Sequence, residues 1–435
     1  MTHPDNPNIS FISDEIDRVI SRVTIKDSSV DITEIGRYIK NYYIQKYSVP
    51  SSVPNKYQFI DLFCGAGGLS VGLEHEGFRP VLAVDHDSAS LKTYQFNRPW
   101  MPAEQIVQDD IRNLIDKNIF PSVPLVVGGP PCQGFSIANK QKKENDDRNE
   151  LYKFYVQAVK QARPKIFLME NVSGILSVYD DICADFKKID FHVCEPIILS
   201  PVDFGFPQTR KRAFLLGINL NYHKLIPELY ECFKEIVFSA MRDTAFSLWD
   251  AIGDLPVLSA KTQKNATNVE SAFWGYTIAR TSGKKTPYTQ LLNSQTGVLC
   301  PLLNHKSKYN NERDILIYQT LKQGEKSDAE SISHINPYKN RADIFRDKFD
   351  KLLADVPCKA ITAHMYYDCN MYIHPYQARG LSPREAARVQ GFPDDYLFLG
   401  SPNEWYRQIG NAVSPLVARI LGQALSKVLE RIGEE

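Results

Sequence analysis

The chain has no surplus of charge. Its 51 Lys and Arg residues are matched by 51 Asp and Glu, so no global field draws it to nucleic acid or membrane, and any polyanion site has to be a local basic patch. Nor does any run approach the roughly 20 apolar residues of a bilayer span. The opening residues lack the charged-then-apolar order of a secretory signal. A soluble, intracellular, cytoplasmic protein is expected. None of the eight cysteines forms a CxxC pair or stands at zinc-like spacing with histidine, which argues for reduced thiols and no metal. No repeat at a solenoid period is visible. What remains is an ordinary globular composition, 43% hydrophobic and 23% charged over 435 residues, long enough for two or three domains.

Residues 1–55 read as a separate helical extension. Ser13 ahead of Asp14 and Glu15 is a candidate cap, with Phe11, Ile12, Ile16, Val19, Ile20 and Val23 on one stripe. Asp31 and Glu34 in capping-box spacing open a second helix carrying Ile35, Tyr38, Ile39 and Tyr42. Pro50-Ser51-Ser52-Val53-Pro54 then breaks the pattern. A packing accessory is favoured over a dimerising or DNA-contacting appendage. From Tyr57 the texture changes. Apolar runs at 57–63, 80–84, 125–127, 165–169 and 213–218 alternate with candidate helices such as 69–77 and 151–162. That alternation predicts a mostly parallel sheet with helices on both faces. It fades between about 219 and 376, where only a helix at 314–322 stands out, and returns with helices at 381–389 and 416–432. If the last helix packs on the sheet, the irregular region is an insertion within one domain.

Two stretches and two single acids carry chemistry. Gly129-Pro130-Pro131-Cys132-Gln133-Gly134-Phe135-Ser136 follows the run Leu125-Val126-Val127. Two prolines fix the backbone before a lone cysteine, and flanking glycines let other groups approach. A thiolate presented at a strand's carboxyl end, where open α/β sheets bind ligands, is a candidate nucleophile. A buried, inert cysteine in a tight turn is the plain alternative. Phe59-Ile60-Asp61-Leu62-Phe63-Cys64-Gly65-Ala66-Gly67-Gly68-Leu69-Ser70 reads as strand, glycine turn and helix start. It is not a clean GxGxxG, and Asp61 at the strand end suits a cationic or amino-bearing ligand better than a dinucleotide. Asp85, closing the next strand, is placed to accept from ribose hydroxyls, and Asp110 from an adenine amino group.

With four further strings in order, the chain resembles the DNA cytosine-5 methyltransferases from about 57 to 429, outside much of 219–376. Asp61 to Gly68 is similar to the family's S-adenosylmethionine motif and Pro130-Pro131-Cys132-Gln133 to its nucleophile motif. Glu170-Asn171-Val172 is similar to its catalytic-acid motif, and Gln208-Thr209-Arg210-Lys211-Arg212 to its Gln-x-Arg-x-Arg element. Arg379-Gly380-Leu381-Ser382-Pro383-Arg384-Glu385-Ala386-Ala387-Arg388-Val389-Gln390-Gly391-Phe392-Pro393 looks like the segment supporting the recognition domain. Gln408-Ile409-Gly410-Asn411-Ala412-Val413-Ser414-Pro415 looks like the final cofactor-pocket motif.

The resemblance implies an α/β fold of the class I methyltransferase type, a doubly wound, mostly parallel, Rossmann-like sheet. It implies an extension at 1–55, a catalytic and cofactor-binding domain at 56–258, an inserted irregular target-recognition domain at 259–376, and a return to the catalytic domain at 377–435. The implied reaction moves the methyl group of S-adenosylmethionine to C5 of a cytosine flipped from duplex DNA, leaving S-adenosylhomocysteine. Cytosine C5 is a poor nucleophile, so Cys132 would first add to C6 and load C5 with electron density. Glu170, ending the apolar run Ile166-Phe167-Leu168-Met169, would hydrogen-bond N3 as an acid. Arg212 would reach the carbonyl, and Arg210 and Gln208 would organise the pocket or a phosphate. A guanidinium beside Cys132 would also favour its thiolate. No residue stands out as the base that removes the C5 proton, which leaves water.

For the cofactor, the resemblance implies Phe63 stacked on adenine, Asp61 and Asn411 near the amino-acid end, and Leu151 and Val413 lining the pocket. Gly65, Gly67, Gly68, Asp85, His86, Asp110, Ile111 and Pro130 complete the candidate contacts. The polar segment 136–149 reads as a loop closing over DNA, with Gln133, Ser136, Lys140, Lys142 and Lys143 as candidate contacts. Lys284, Lys285, Arg313, Lys339 and Arg341 are candidates for phosphates near the base-reading surface. The implied partners are double-stranded DNA and, functionally, a cognate restriction endonuclease of a modification system; a monomer without membrane association is expected. Two rivals are an RNA cytosine-5 methyltransferase, against which the long recognition region argues, and a non-catalytic DNA-binding relative, which should have lost Cys132 or Glu170.

Overall fold

The computed structural model describes residues 8–21, 24–25, 32–48, 55–131, 151–262, 269–270, 285–294, 300–339 and 348–434. Helices α1 (Ile9–Ser21) and α2 (Ile32–Ser48), with strand β1 (Thr24–Ile25) between them, come first. The alternating part runs β2 (Tyr57–Leu62), α3 (Gly68–Glu74), β3 (Phe78–Asp85), α4 (Ser88–Phe96), β4 (Ile106–Gln108), α5 (Ile111–Ile115), β5 (Leu125–Gly128), α6 (Leu151–Ala162) and β6 (Ile166–Asn171). It continues as α7 (Tyr179–Lys187), β7 (Phe191–Val193), β8 (Ile197–Leu199), β9 (Gln208–Thr209) and β10 (Arg212–Asn219). A largely irregular region follows, carrying α8 (Ile226–Ser239), α9 (Leu248–Ile252), β11 (Val269–Glu270), α10 (Pro287–Leu292), α11 (Glu312–Thr320) and β12 (Cys358–Lys359). The chain closes with α12 (Pro383–Gln390), α13 (Pro402–Asn411) and α14 (Pro415–Gly433).

Strands β4-β3-β2-β5-β6 are parallel neighbours, and β10 runs antiparallel beside β6, pairing also with β7 and β8. Side chains two apart share a face, and here each face meets its own core. Phe59, Leu125, Val127, Ile166, Leu168, Phe214 and Leu216 pack with α3, α8 and α14. Ile60, Leu62, Val126, Phe167, Met169 and Leu215 pack with α5, α6 and α7. Burial on both faces is why these strands read as unbroken apolar runs. The doubly wound α/β expectation holds. The stretch Pro402–Gly433 is long and apolar enough to cross a membrane by length and composition, yet most of it is buried, α14 lying on α3 and α8.

One local expectation changes. Helix α1 starts at Ile9 rather than after Ser13, because Asn8 Oδ1 accepts from the Phe11 N–H and the Ser10 hydroxyl; Ser13 lies inside the helix, and Asp31 falls outside the described residues. Apart from the main sheet, β12 pairs in parallel with β9, Cys358 opposite Gln208. Further on, α12 opens with a capping box between Ser382 and Glu385 and Pro383 in its first turn. Its buried Arg388 pairs with Asp254 and Asp394, and Arg384 donates to the carbonyls of Leu303, Pro393 and Tyr396.

Candidate active site

The strand order reverses on either side of β2, with β3 and β5 on opposite flanks. The crevice outside the carboxyl ends at such a point is where open α/β sheets bind ligands. Register brings the motifs to this edge. Leu62 lies opposite Gly128, Gly128 opposite Met169, and Glu170 opposite Phe214, two residues into β10 from Arg212.

Leaving β2, the backbone turns at Phe63 with φ +57°, Gly65 at +52° and Gly67 at +85°. A positive φ at an aromatic residue is rare and strained, and such outliers cluster at ligand sites. Gly67 is required twice over, since a Cβ there would also stand 2.7 Å from Arg98 Nη1. A Cβ on Gly68 would collide with the Val413 carbonyl, which shows how closely the last motif is laid on the turn. Above Gly65 no described residue comes within 4 Å of a Cβ. The Gly65 N–H donates to Asp85 Oδ2 at 2.8 Å and the Asp87 N–H to Asp85 Oδ1 at 2.9 Å, while burial raises the Asp85 pKa. His86 is exposed, its Nδ1 3.4 Å from Asp85. An aromatic at a strained turn, a carboxylate at the next strand end and room above Gly65 among the described residues fit a nucleoside with a cationic end.

The other cofactor candidates divide. Asp61 is only 1% exposed, accepts from Ser70 Oγ at 2.5 Å, and is pushed up to about 7 by burial. Asp110 caps α5 and pairs with Arg112 at 2.6 Å, and the Ile111 side chain is in the core beneath. Pro130 is buried, Leu151 and Val413 are half-buried, and Asn411 is exposed at the end of α13.

Among the described residues, Arg212 and the Gly129-Pro130 backbone come together at Glu170 and Asn171. A Cβ on Gly129 would stand 2.8 Å from Glu170 Oε2, so the carboxyl group rests against the glycine three residues before Cys132. Next to it, Asn171 Nδ2 donates to the Pro130 carbonyl at 2.9 Å. On the other side Arg212 Nε lies 3.0 Å from Glu170 Oε1. Burial raises the Glu170 pKa, against the opposing pull of Arg212 and then Arg210. Arg210 is buried, donates to the Ile361 carbonyl at 2.6 Å, and its Nε has no partner among the described residues. Burial first and the like charge of Arg212 second bring Arg210 down to about 9, still cationic at neutral pH. Gln208 is engaged at both ends of its amide, Nε2 donating to Val389 O and Gln390 Oε1 and Oε1 accepting from the Ile361 N–H at 2.9 Å.

Cys132, Gln133, Ser136, Lys140, Lys142, Lys143, Lys284 and Arg341 lie outside the described residues. Lys285 and Lys339 are exposed, and Arg313 pairs with Asp314 at 3.2 Å. Two contributors escaped the sequence reading. Ser200 Oγ accepts from the Arg210 N–H at 2.9 Å, and Ile361 receives the guanidinium. Neither residue type is a signal for chemistry, and both act from other segments.

Residues 57–427 match the family model of the C-5 cytosine-specific DNA methylases. The chain is 32% identical over 403 residues to the type II methyltransferase M.DdeI of Desulfomicrobium norvegicum, covering 86% of this chain and 89% of that one. It is 30% identical over 415 residues to the type II methyltransferase M1.HphI of Haemophilus parahaemolyticus, covering 92% and 94%. Among solved structures, a prophage-encoded protein described as a DNA modification methyltransferase (E. coli) superposes with a TM-score of 0.63 at 27% identity, covering 86% of this chain and all of that one. The chain therefore belongs to the C-5 cytosine-specific DNA methylase family and is a DNA cytosine-5 methyltransferase.

Proposed function

We propose that the chain methylates C5 of a cytosine flipped out of a specific duplex DNA sequence, through a covalent bond between Cys132 and C6 of the ring. The observation that carries this reading is the Glu170 carboxyl group, held between Gly129, at the entrance to the Cys132 segment, and the Arg212 guanidinium. Attack of the Cys132 thiolate on C6 moves electron density to C5. Glu170, whose acid form is favoured by burial, hydrogen-bonds N3 and stabilises the ring charge as it develops. Arg212 takes the carbonyl oxygen, while Arg210, anchored through Ser200 and Ile361, supports it, and a guanidinium near Cys132 would favour its thiolate. When the methyl group is in place and water has removed the C5 proton, the cysteine leaves.

Phe63, Asp85 and the glycine turn would hold S-adenosylmethionine, with Pro130, Leu151, Asn411 and Val413 at its edges and Asp61 and Asp110 supporting from behind and beside. Bound there, S-adenosylmethionine supplies an electrophilic methyl group. Lysines of segment 136–149 would meet phosphates, and the irregular region from 259 to 376 would read bases. Because the relatives are named as type II methyltransferases, we assign the chain to a cytoplasmic modification system, acting as a monomer, with a cognate endonuclease as functional partner.

The test is a duplex carrying 5-fluorocytosine, mixed with protein and S-adenosylmethionine. The fluorine cannot leave as a proton would, so a denaturation-resistant protein–DNA adduct should accumulate with wild type and not with Cys132→Ala. Equal adduct from the alanine variant would overturn the nucleophile assignment, and preferential labelling of RNA would overturn the substrate.

A further inference from the structure

Helices α1 and α2 lie outside the residues matched by the family model, yet they pack apolar side chains onto the body of the protein. Ile12, Ile16, Ile39 and Tyr43 are buried with Phe96, Leu303, Leu397 and Leu399, and the Tyr43 ring meets Phe96 edge-on at 5.0 Å. Polar contacts converge on one residue. Lys46 Nζ lies 2.8 Å from Asp395 Oδ2, the Tyr42 hydroxyl donates to the same oxygen at 3.2 Å, and the Tyr43 hydroxyl donates to the Asp395 carbonyl at 3.0 Å. The Asp395 side chain is 5% exposed, so its charge depends on these partners.

The next residue leads to the glycine turn. The Tyr396 hydroxyl donates to the Ala66 carbonyl and accepts from Arg98 Nη1 at 3.2 Å, and Arg98 Nη2 donates to the Gly67 carbonyl at 3.3 Å. Leu397 is clamped by both ends of the Asn97 amide. Leu399 donates to Thr93, which donates to Gln408 in the helix that ends at Asn411. Segment 395–399 therefore links α2 to both sides of the cofactor crevice.

We propose that α1 and α2 are a positioning element for the cofactor, in which Lys46, with Tyr42 and Tyr43, fixes Asp395 and so the Tyr396 hydroxyl that holds Ala66 in the glycine turn. This rests on the reading of that turn as the S-adenosylmethionine site. A precise site needs side chains whose supports are themselves locked. Without the ammonium group, the buried Asp395 carboxylate loses its charged partner and swings toward water, which displaces Tyr396 from the turn.

The experiment is calorimetric titration of the full chain with S-adenosylmethionine, alongside DNA affinity and single-turnover rate at saturating cofactor. Lys46→Met should bind S-adenosylmethionine about tenfold more weakly, with DNA affinity and rate within twofold of wild type. Lys46→Arg should restore binding. Tyr43→Phe, which removes one hydroxyl and keeps the packing, should weaken binding about threefold and guards against misfolding of the first variant. Unchanged cofactor binding in folded Lys46→Met and Tyr43→Phe variants would overturn the inference alone. So would a parallel fall in cofactor binding, DNA binding and rate, which marks a merely structural role. A wild type that takes up no S-adenosylmethionine would overturn the underlying reading and this inference with it.

Discussion

Replacing Gly129 with alanine should separate activity from stability. Gly129 does not have a positive φ, so an alanine is permitted by its backbone, and the loss of unfolded-state freedom is worth about 0.4–1 kcal/mol in favour of folding. The added methyl group would sit 2.8 Å from Glu170 Oε2, where ordinary contact begins at 3.4 Å. The carboxyl group must then retreat by roughly 0.6 Å, against the Arg212 guanidinium that holds its other oxygen at 3.0 Å. A misplacement of about 1 Å costs on the order of 100-fold in rate, so a loss of about tenfold is expected here. The assay is single-turnover methyl transfer at saturating DNA and cofactor, with a thermal melt of the same preparation. A slower enzyme with an equal or higher melting temperature is the expected pair of results. A folded variant within twofold of the wild-type rate would refute the claim that Gly129 sets the position of Glu170.

How much of this was legible follows from what each feature depends on. Residues 125–128 announce a buried strand because a parallel strand covered on both faces leaves its apolar side chains in one run. The buried setting of Glu170 was legible too, since an acid ending an apolar strand carries its environment in its neighbours. The antiparallel direction of β10 was not, because strand direction has no local signature in side chains that alternate the same way either way up. Gln208 and Arg210 looked alike as pocket residues. Only the fold, with β9 paired to β12 from 150 residues later, shows the glutamine holding the Val389 and Ile361 backbone and the arginine with a donor unpartnered among the described residues. A two-residue strand has no periodicity to detect. The same holds for Asn8, whose capping role needs only one polar side chain, and for α1 and α2, whose stripe shows that they pack and not that Leu397 and Leu399 receive them.

Two further outcomes test the electrostatics. Glu385→Gln should destabilise the fold by about 3–5 kcal/mol in a urea melt, because it strips the counter-charge from Arg379, whose pair with Glu385 at 2.6 Å is buried on both sides; a loss under about 1 kcal/mol would refute that. Asp61 makes the pH test. Burial raises its carboxyl group from 3.8 to about 7. A carboxyl raised on folding contributes stability that is complete below its unfolded value and is lost as pH rises through its folded one. Between about pH 4 and 7, wild type should therefore lose stability relative to Asp61→Asn, by on the order of 4 kcal/mol at most. Parallel melts across that window would show that Asp61 is not held out of water as the geometry requires. A cationic ligand end placed near Asp61 favours its charged form, so saturating S-adenosylmethionine should narrow the gap, and the narrowing distinguishes a carboxylate that faces the cofactor from one that only braces Ser70.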